Sequence, residues 1–313
     1  MSMKKSRLYL LCGGGALVLL ASLVLVAGIL AGESALHPAR WPLTSANRSS
    51  ALAVAQRTQA SLEDVSIPAA DGVILRGWAM RPALSNGDAV ILLHGHGHNR
   101  SADLGQAEIF LRHGYSVLLP DAREHGESGG SIATFGVLES NDIRRWYDWL
   151  QAREHPHCID GLGTSMGAAM ILEAMRSTPG FCAVVADAPF DSFREVSYER
   201  SGQKYGHHDG LGRTLFRPVI DIGYLWVRLR YGIDMEEASP DRAVAQTQVP
   251  ALLIHGTADT NLPIRHSRLI MADNPGRPNL QLWEVPGAEH CKSINVDPIG
   301  YEQHVIGWFQ SHR

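Results

Sequence analysis

The chain reads as an α/β protein in which helices flank both faces of a mostly parallel sheet. Three observations predict this. From residue 62 onward, short β-branched apolar runs alternate with segments of helical period. Some of those runs, such as "AVILL", are apolar at every position, as strands buried on both faces are. Strands and helices alternating this regularly imply βαβ crossovers, and hence parallel neighbours. The chain has 313 residues, 45% of them apolar, enough for one large domain with a substantial core once an N-terminal segment is set aside. A formal net charge of −4, with no basic stripe, offers nothing to a nucleic acid.

The N-terminal segment spans residues 1–32. Lys4, Lys5 and Arg7 precede the uncharged run Leu8 to Ala31, "LYLLCGGGALVLLASLVLVAGILA". That run exceeds the roughly 20 residues that cross a bilayer's hydrocarbon core. It is also longer than the roughly 7–15 apolar residues of a cleavable signal. Gly32-Glu33-Ser34-Ala35 makes a weak cleavage site, so the segment is expected to be an uncleaved anchor. Its basic flank would stay cytoplasmic and the rest of the chain would lie outside; cleavage would instead make the protein secreted. Residues 33–61 read as a linker or a short helix.

Residues 62–313 form the expected α/β domain. "LEDVSIP" and "VILRGWAMRP" flank Asp71-Gly72, a hairpin signal. "DAVILLHG" follows as a strand, "ADLGQAEIFLRHG" as a helix and "YSVLLPD" as a strand. Residues 136–152 return to helical period. "CIDGLG" and "CAVVADAP" are strands on either side of the helix "MGAAMILEAMRS". "VPALLIHGTAD", a helix near 264–272, "NLQLWEV" and a closing helix at 297–312 complete the pattern. Cys158 and Cys182 stand at the starts of two of these strands. If the strands are parallel neighbours, the cysteines lie within bridging distance in an oxidising compartment; the alternative is two small buried hydrophobes.

Ligands of such sheets gather at the carboxyl ends of the strands. Each strand end here carries a polar residue: His94-Gly95-His96-Gly97-His98 after "AVILL", Asp121 after "SVLLP", Ser165 after "IDGLGT", Asp259 after "LLIHGTA" and His290 after "LQLWEVPGAE". Serine, acid and histidine thus follow one another in chain order. A free hydroxyl is a poor nucleophile and needs a base; imidazole supplies it near neutrality, and a carboxylate fixes the imidazole's tautomer.

Gly163-Thr-Ser-Met-Gly167 fits the G-x-S-x-G elbow in the strand-to-helix context that motif requires. With Ser165, Asp259 and His290 in order, residues 62–313 resemble the α/β-hydrolase superfamily. "LLHGHGHNR", "DAREHGESGG" and "LLIHGTADTNLP" are similar to its bacterial esterase and S9/S33-peptidase-like branch. The resemblance implies an eight-stranded, mostly parallel sheet with a small helical cap, inserted at about 190–245. It implies that Ser165 is the nucleophile, His290 the general base and then acid, and Asp259 the residue that orients His290. The backbone N–H groups of His96 and Met166 would form the oxyanion hole. Asp187 also ends a strand, where some members of the superfamily take their acid. Asp121 would be structural. Glu124, in Arg123-Glu124-His125-Gly126, departs from the relatives' R-G-H-G.

His94, His96 and His98 alternate, but no carboxylate or cysteine cluster accompanies them, so no metal and no cofactor is expected. His207-His208 read as solvated loop residues, and Cys291 lies next to His290 without a catalytic role. Within the cap, Tyr224, Leu225, Trp226, Val227 and Leu229 either line an acyl pocket or pack the cap. The expected function is a single-pass serine hydrolase of the bacterial inner membrane that acts on small-molecule acyl esters. Peptidase or acyltransferase chemistry with the same residues, or a silent binding fold, are the alternatives.

Overall fold

The computed structural model describes residues 2–203 and 210–313, so His207 and His208 lie outside the described residues. It begins with α1 (Ser2–Leu36) and α2 (Ser45–Arg57), followed by the hairpin β1 (Ala60–Pro68) and β2 (Ile74–Pro82). Next come β3 (Ala89–Leu93), α3 (Leu104–Arg112), β4 (Ser116–Pro120), α4 (Glu139–Glu154) and β5 (Ile159–Thr164). Then follow α5 (Met166–Ser177), β6 (Val184–Asp187), α6 (Phe193–Gln203), α7 (Gly210–Arg213), α8 (Arg217–Tyr231) and α9 (Pro240–Ala245). The chain closes with β7 (Ala251–Gly256), α10 (Arg265–Asp273), β8 (Leu280–Val285), α11 (Ser293–Val296) and α12 (Pro298–Ser311).

All eight strands form one sheet in the order β1-β2-β4-β3-β5-β6-β7-β8. β1 pairs antiparallel with β2, and β2 with β4; every other pairing is parallel. The parallel strands β3, β4, β5, β6 and β7 are buried at every residue, which is why they read as mostly apolar runs, with Asp160 in β5 and His255 in β7 as polar exceptions inside them. On one face, alternate strand residues such as Val90 and Leu92, Val117 and Leu119, and Leu252 and Ile254 form a core with α2, α3 and α12. On the other face, α5 lies against β5 and β6 beside α4.

The chain divides into two compact units. One holds 1–36 and 194–235; the other holds 37–193 and 236–313 and carries the whole sheet. The sheet unit therefore starts ahead of residue 62. In the stretch expected as a linker or a short helix, α2 forms behind a Thr44–Asn47 capping box and buries Ala51, Val54 and Ala55 in the core. At the far end of the insertion, α9 packs on α5 and belongs to the sheet unit. In the other unit, α1 contains Gly13–Leu36, long and apolar enough to cross a membrane.

Cys158 and Cys182 are joined in a disulfide, with Cα atoms 5.7 Å apart. Each cysteine immediately precedes or nearly precedes one of the neighbouring parallel strands β5 and β6, so the pairing of the strands brings the sulfurs together.

Asp121, at the end of β4, is the structural residue the sequence suggested. Its carboxylate accepts from the backbone and side chain of Arg100 at 2.7 and 3.0 Å and from Glu127 N–H at 2.8 Å. The Arg100 and Asp121 side chains are 1% and 0% exposed. A buried pair broken from one side leaves an uncompensated charge, which costs about 3–5 kcal/mol. Arg100→Met is therefore expected to lower the free energy of unfolding by about that amount, read as a drop in urea midpoint.

Candidate active site

Ser165 sits where β5 turns into α5, and two glycines make the turn close. A Cβ on Gly163 would lie 2.1 Å from Gly167 O, and a Cβ on Gly167 would lie 2.0 Å from Leu93 O. Strand β3, strand β5 and helix α5 therefore meet backbone to backbone, and no side chain fits between them. Ser165 itself is held at φ 53° and ψ −113°, a conformation that costs a non-glycine residue on the order of 1–3 kcal/mol. The surrounding structure fixes it there: Ser165 N–H donates to Asp187 O at 2.8 Å, and Ser165 O accepts from Ala169 N–H at 3.1 Å.

Met166 is the first residue of α5, so its N–H has no acceptor within the helix and points from the positive end of the helix dipole. The β3 loop approaches from the other side, where a Cβ built on Gly95 would lie 3.4 Å from Ser165 Cβ. His96 follows Gly95, and its exposed ring stacks on Phe135 at 5.6 Å between centroids. His94 is buried and uses both ring nitrogens inside the protein. Nδ1–H donates to Gly95 O at 2.8 Å, and Nε2 accepts from Ala122 N–H at 3.1 Å. Burial holds its pKa below the ordinary histidine value. His98 packs edge-on against Trp41. The rings of His94 and His96 both pack against His125, at 5.2 and 6.0 Å between centroids, whereas that of His98 packs against Trp41.

His290 brings the distant residues together. Its Nε2 lies 2.9 Å from Ser165 Oγ, and its Nδ1 lies 2.6 Å from Asp259 Oδ2. The His290 side chain is 20% exposed, whereas that of Asp259 is fully buried. Burial works to raise the Asp259 pKa. Contacts from His255 and His290 and the N–H of Leu262 outweigh it and hold the carboxyl well below the usual range. Asp259 Oδ1 accepts from the N–H groups of Asn261 and Leu262, both at 2.9 Å. A carboxylate anchored on one oxygen and bonded through the other to Nδ1–H leaves Nε2 as an acceptor facing the serine hydroxyl. An imidazole in this state can take a proton from that hydroxyl.

Asp187, the other strand-end acid, lies elsewhere. Its carboxyl is fully buried and 3.4 Å from Ser293 Oγ, and burial pushes its pKa up to about 7. Its backbone supports Ser165, but the acid bonded to His290 is Asp259. Cys291 adjoins His290 in sequence and is free; burial raises its thiol pKa well above the ordinary value, so it stays protonated.

Two supporting features escape a reading of strand ends. His255, inside β7, accepts at Nδ1 from Ser267 Oγ at 2.7 Å and donates from Nε2 to Leu262 O at 2.8 Å. It thereby fixes the loop that presents Asp259, and its Nε2 lies 3.5 Å from Asp259 Oδ2. Glu124 adopts φ 60°, in the left-handed region that favours glycine, and its carboxylate lies 3.7 Å from Arg40. The added negative charge is paired. The only sequence signal for His255 was a lone polar residue in an otherwise apolar strand.

The model of a family described as "Alpha/beta hydrolase family" matches residues 90–301. The uncharacterized protein YqkD of Bacillus subtilis (strain 168) is 27% identical over 242 residues, which cover 76% of each chain. Among solved structures, the Pyrococcus furiosus esterase Pf2001 is similar at a TM-score of 0.69 and 23% identity, covering 89% of this chain and 98% of its own. The Pyrococcus horikoshii acylaminoacyl peptidase is similar at a TM-score of 0.60 and 16% identity, covering 81% of this chain and 42% of its own.

Proposed function

Because the chain belongs to the alpha/beta hydrolase family, we propose that it is a serine hydrolase that cleaves carboxylic esters through an acyl-enzyme. The observation that carries this reading is the continuous chain Ser165 Oγ–His290–Asp259, with contacts of 2.9 and 2.6 Å. His290 Nε2 takes the proton as Ser165 Oγ attacks the ester carbonyl, and Asp259 stabilises the imidazolium that forms. The oxyanion is held by the N–H groups of Met166 and His96, each worth on the order of 10²–10³ in turnover. His290 then gives its proton to the departing alkoxide, and the C–O bond breaks to leave the acyl group on Ser165. Water, deprotonated by His290, attacks the acyl carbonyl; the acid is released and Ser165 regains its proton.

The membrane assignment belongs to the same proposal. Lys4, Lys5 and Arg7 precede the apolar helix and favour a cytoplasmic N-terminus, which puts the sheet unit on the outer side of a bacterial inner membrane. The Cys158–Cys182 disulfide suits an oxidising compartment.

A panel of p-nitrophenyl esters from acetyl to lauroyl, run beside aminoacyl p-nitroanilides in detergent, tests the substrate class. Esters are expected to give the higher kcat/KM at every chain length. Anilides turned over as fast as esters would show a peptidase, and turnover of neither would favour a silent binding fold.

A further inference from the structure

The apolar helix α1 is built into a helix pair. A Cβ on Gly32 would lie 2.9 Å from Gly223 O on α8, and one on Gly28 would lie 2.5 Å from Ile222 Cγ2 and 2.8 Å from Val219 O. Conversely, a Cβ on Gly223 would lie 3.0 Å from Gly28 O. Gly28 and Gly32 are four residues apart and share one face of α1, so the two backbones touch along that face. Close approach of this kind, over small residues at i and i+4, is how helices associate inside membranes, where no hydrophobic drive separates protein from lipid.

A second set of contacts fixes the same pair. Glu33, one residue past Gly32, accepts from Trp226 Nε1 at 2.6 Å and from Tyr231 Oη at 2.8 Å. Tryptophan and tyrosine favour the headgroup level, with the ring in an apolar setting and the polar atom partnered. The contacts run in step, from Gly28 with Val219 and Ile222 to Glu33 with Trp226 and Tyr231. They hold α8 level with the outer end of the span. The 24 residues of Gly13–Leu36 reach about 36 Å at about 1.5 Å per residue, against about 30 Å of hydrocarbon.

The remaining surface of the pair is apolar where lipid would meet it. On α1, Leu17, Leu20, Leu23, Val26 and Leu30 are 50% exposed or more; on α8, Leu225 is 54% and Leu229 75% exposed. Arg228 is exposed next to Leu229, with a side-chain exposure of 69%. Leucines with neighbouring arginines on an exposed helix compose an interfacial surface: the apolar groups enter the acyl boundary and the guanidinium groups reach the headgroups.

We propose that α1 is retained in the mature protein and that α8 lies in the lipid interface beside it, with Leu225 and Leu229 covered by the bilayer. Were α1 a leader that is removed, Gly223, Ile222 and Val219 would lose the backbone that covers them, and Trp226 and Tyr231 would lose their shared acceptor. The partner is the membrane that α1 itself crosses. Two of the five residues considered for an acyl pocket, Leu225 and Leu229, then face lipid, and a third, Trp226, serves the helix pair.

The test uses the full chain with its own N-terminus, in vesicles of phosphatidylethanolamine and phosphatidylglycerol. Leu225→Cys and Leu229→Cys, in a background carrying Cys12→Ser and Cys291→Ser, receive an environment-sensitive fluorophore. Leu84→Cys serves as control, because Leu84 is 87% exposed on the sheet unit. Intact mass should show α1 still attached. Doxyl-lipid quenching at 225 and at 229 should exceed that at 84 severalfold, with a blue-shifted emission. Loss of α1 from the membrane-bound protein would overturn the proposal. So would a label at either position no better quenched than the one at 84, whether water or another protein covers it.

Discussion

Ser165→Ala is expected to lower ester turnover by on the order of 10⁶-fold and to abolish labelling by a fluorophosphonate. The hydroxyl is the only part removed. His290 and Asp259 keep their 2.6 Å contact, and the donors around the elbow are backbone groups that the substitution leaves in place. Some catalysis above that of water should therefore persist, since binding and an oxyanion hole alone retain on the order of 10³–10⁴-fold. Alanine suits the sterics of the site but must still adopt φ near 53°, so the melting temperature should change little. Activity and labelling are measured on the same detergent-solubilised preparation. Turnover near that of the parent would remove Ser165 from the reaction.

The second large effect is expected at Asp259. Asp259→Asn should lower kcat by about 10⁴-fold, the loss expected when the imidazole is left in the wrong tautomer. Asparagine retains an oxygen for the N–H groups of Asn261 and Leu262 and presents an NH₂ to His290 Nδ1. Nδ1 must then accept, Nε2 carries the proton, and Ser165 has no base. Asp187→Asn should leave kcat within a few-fold of the parent, because that carboxyl is directed at Ser293 and not at His290.

The Asp187 substitution should instead alter the pH dependence of stability. The folded-state pKa of about 7 lies above the ordinary aspartate value, so the native protein holds a proton that the unfolded chain releases above about pH 4. Stability from this residue is complete below about pH 4 and is lost as pH rises toward 7. Asp187→Asn removes the penalty, so its melting temperature relative to the parent should rise between pH 5 and pH 8. If Asp187→Asn, and not Asp259→Asn, silenced the enzyme, the assignment of the acid would be reversed.

The parts of this architecture that were legible in the chain share a physical cause. Strands β3 to β7 are buried on both faces, so burial leaves a mostly apolar run, and the polar residue that follows the run marks the sheet edge where chemistry gathers. Ser165 stands out on that ground; His290 follows the half-buried edge strand β8 and is marked by its place after a strand end alone. Asp187 and Asp259 both follow an apolar run, so strand ends alone do not separate them. The difference lies in the loop: Asp187 is the last residue of β6 and stays beneath the elbow, whereas Asp259 lies three residues past Gly256 and reaches His290.

Other features left little trace. Helix α2 buries only small residues, Ala51, Val54 and Ala55, so it has no strong apolar stripe and read as a linker or a short helix. The role of Gly28 and Gly32 depends on α8, almost two hundred residues away in sequence, and nothing local announces it. Glu124 showed only as a departure from a glycine pattern. Its left-handed backbone and its pairing with Arg40 required coordinates.

The account rests on one hydroxyl being the nucleophile, and the most direct measurement is the site of covalent modification. The folded parent is treated with a fluorophosphonate, digested and mapped by mass spectrometry. A single adduct on Ser165, formed in parallel with loss of esterase activity, is the expected result. An adduct on any other residue, or complete inactivation with Ser165 unmodified, would contradict the account.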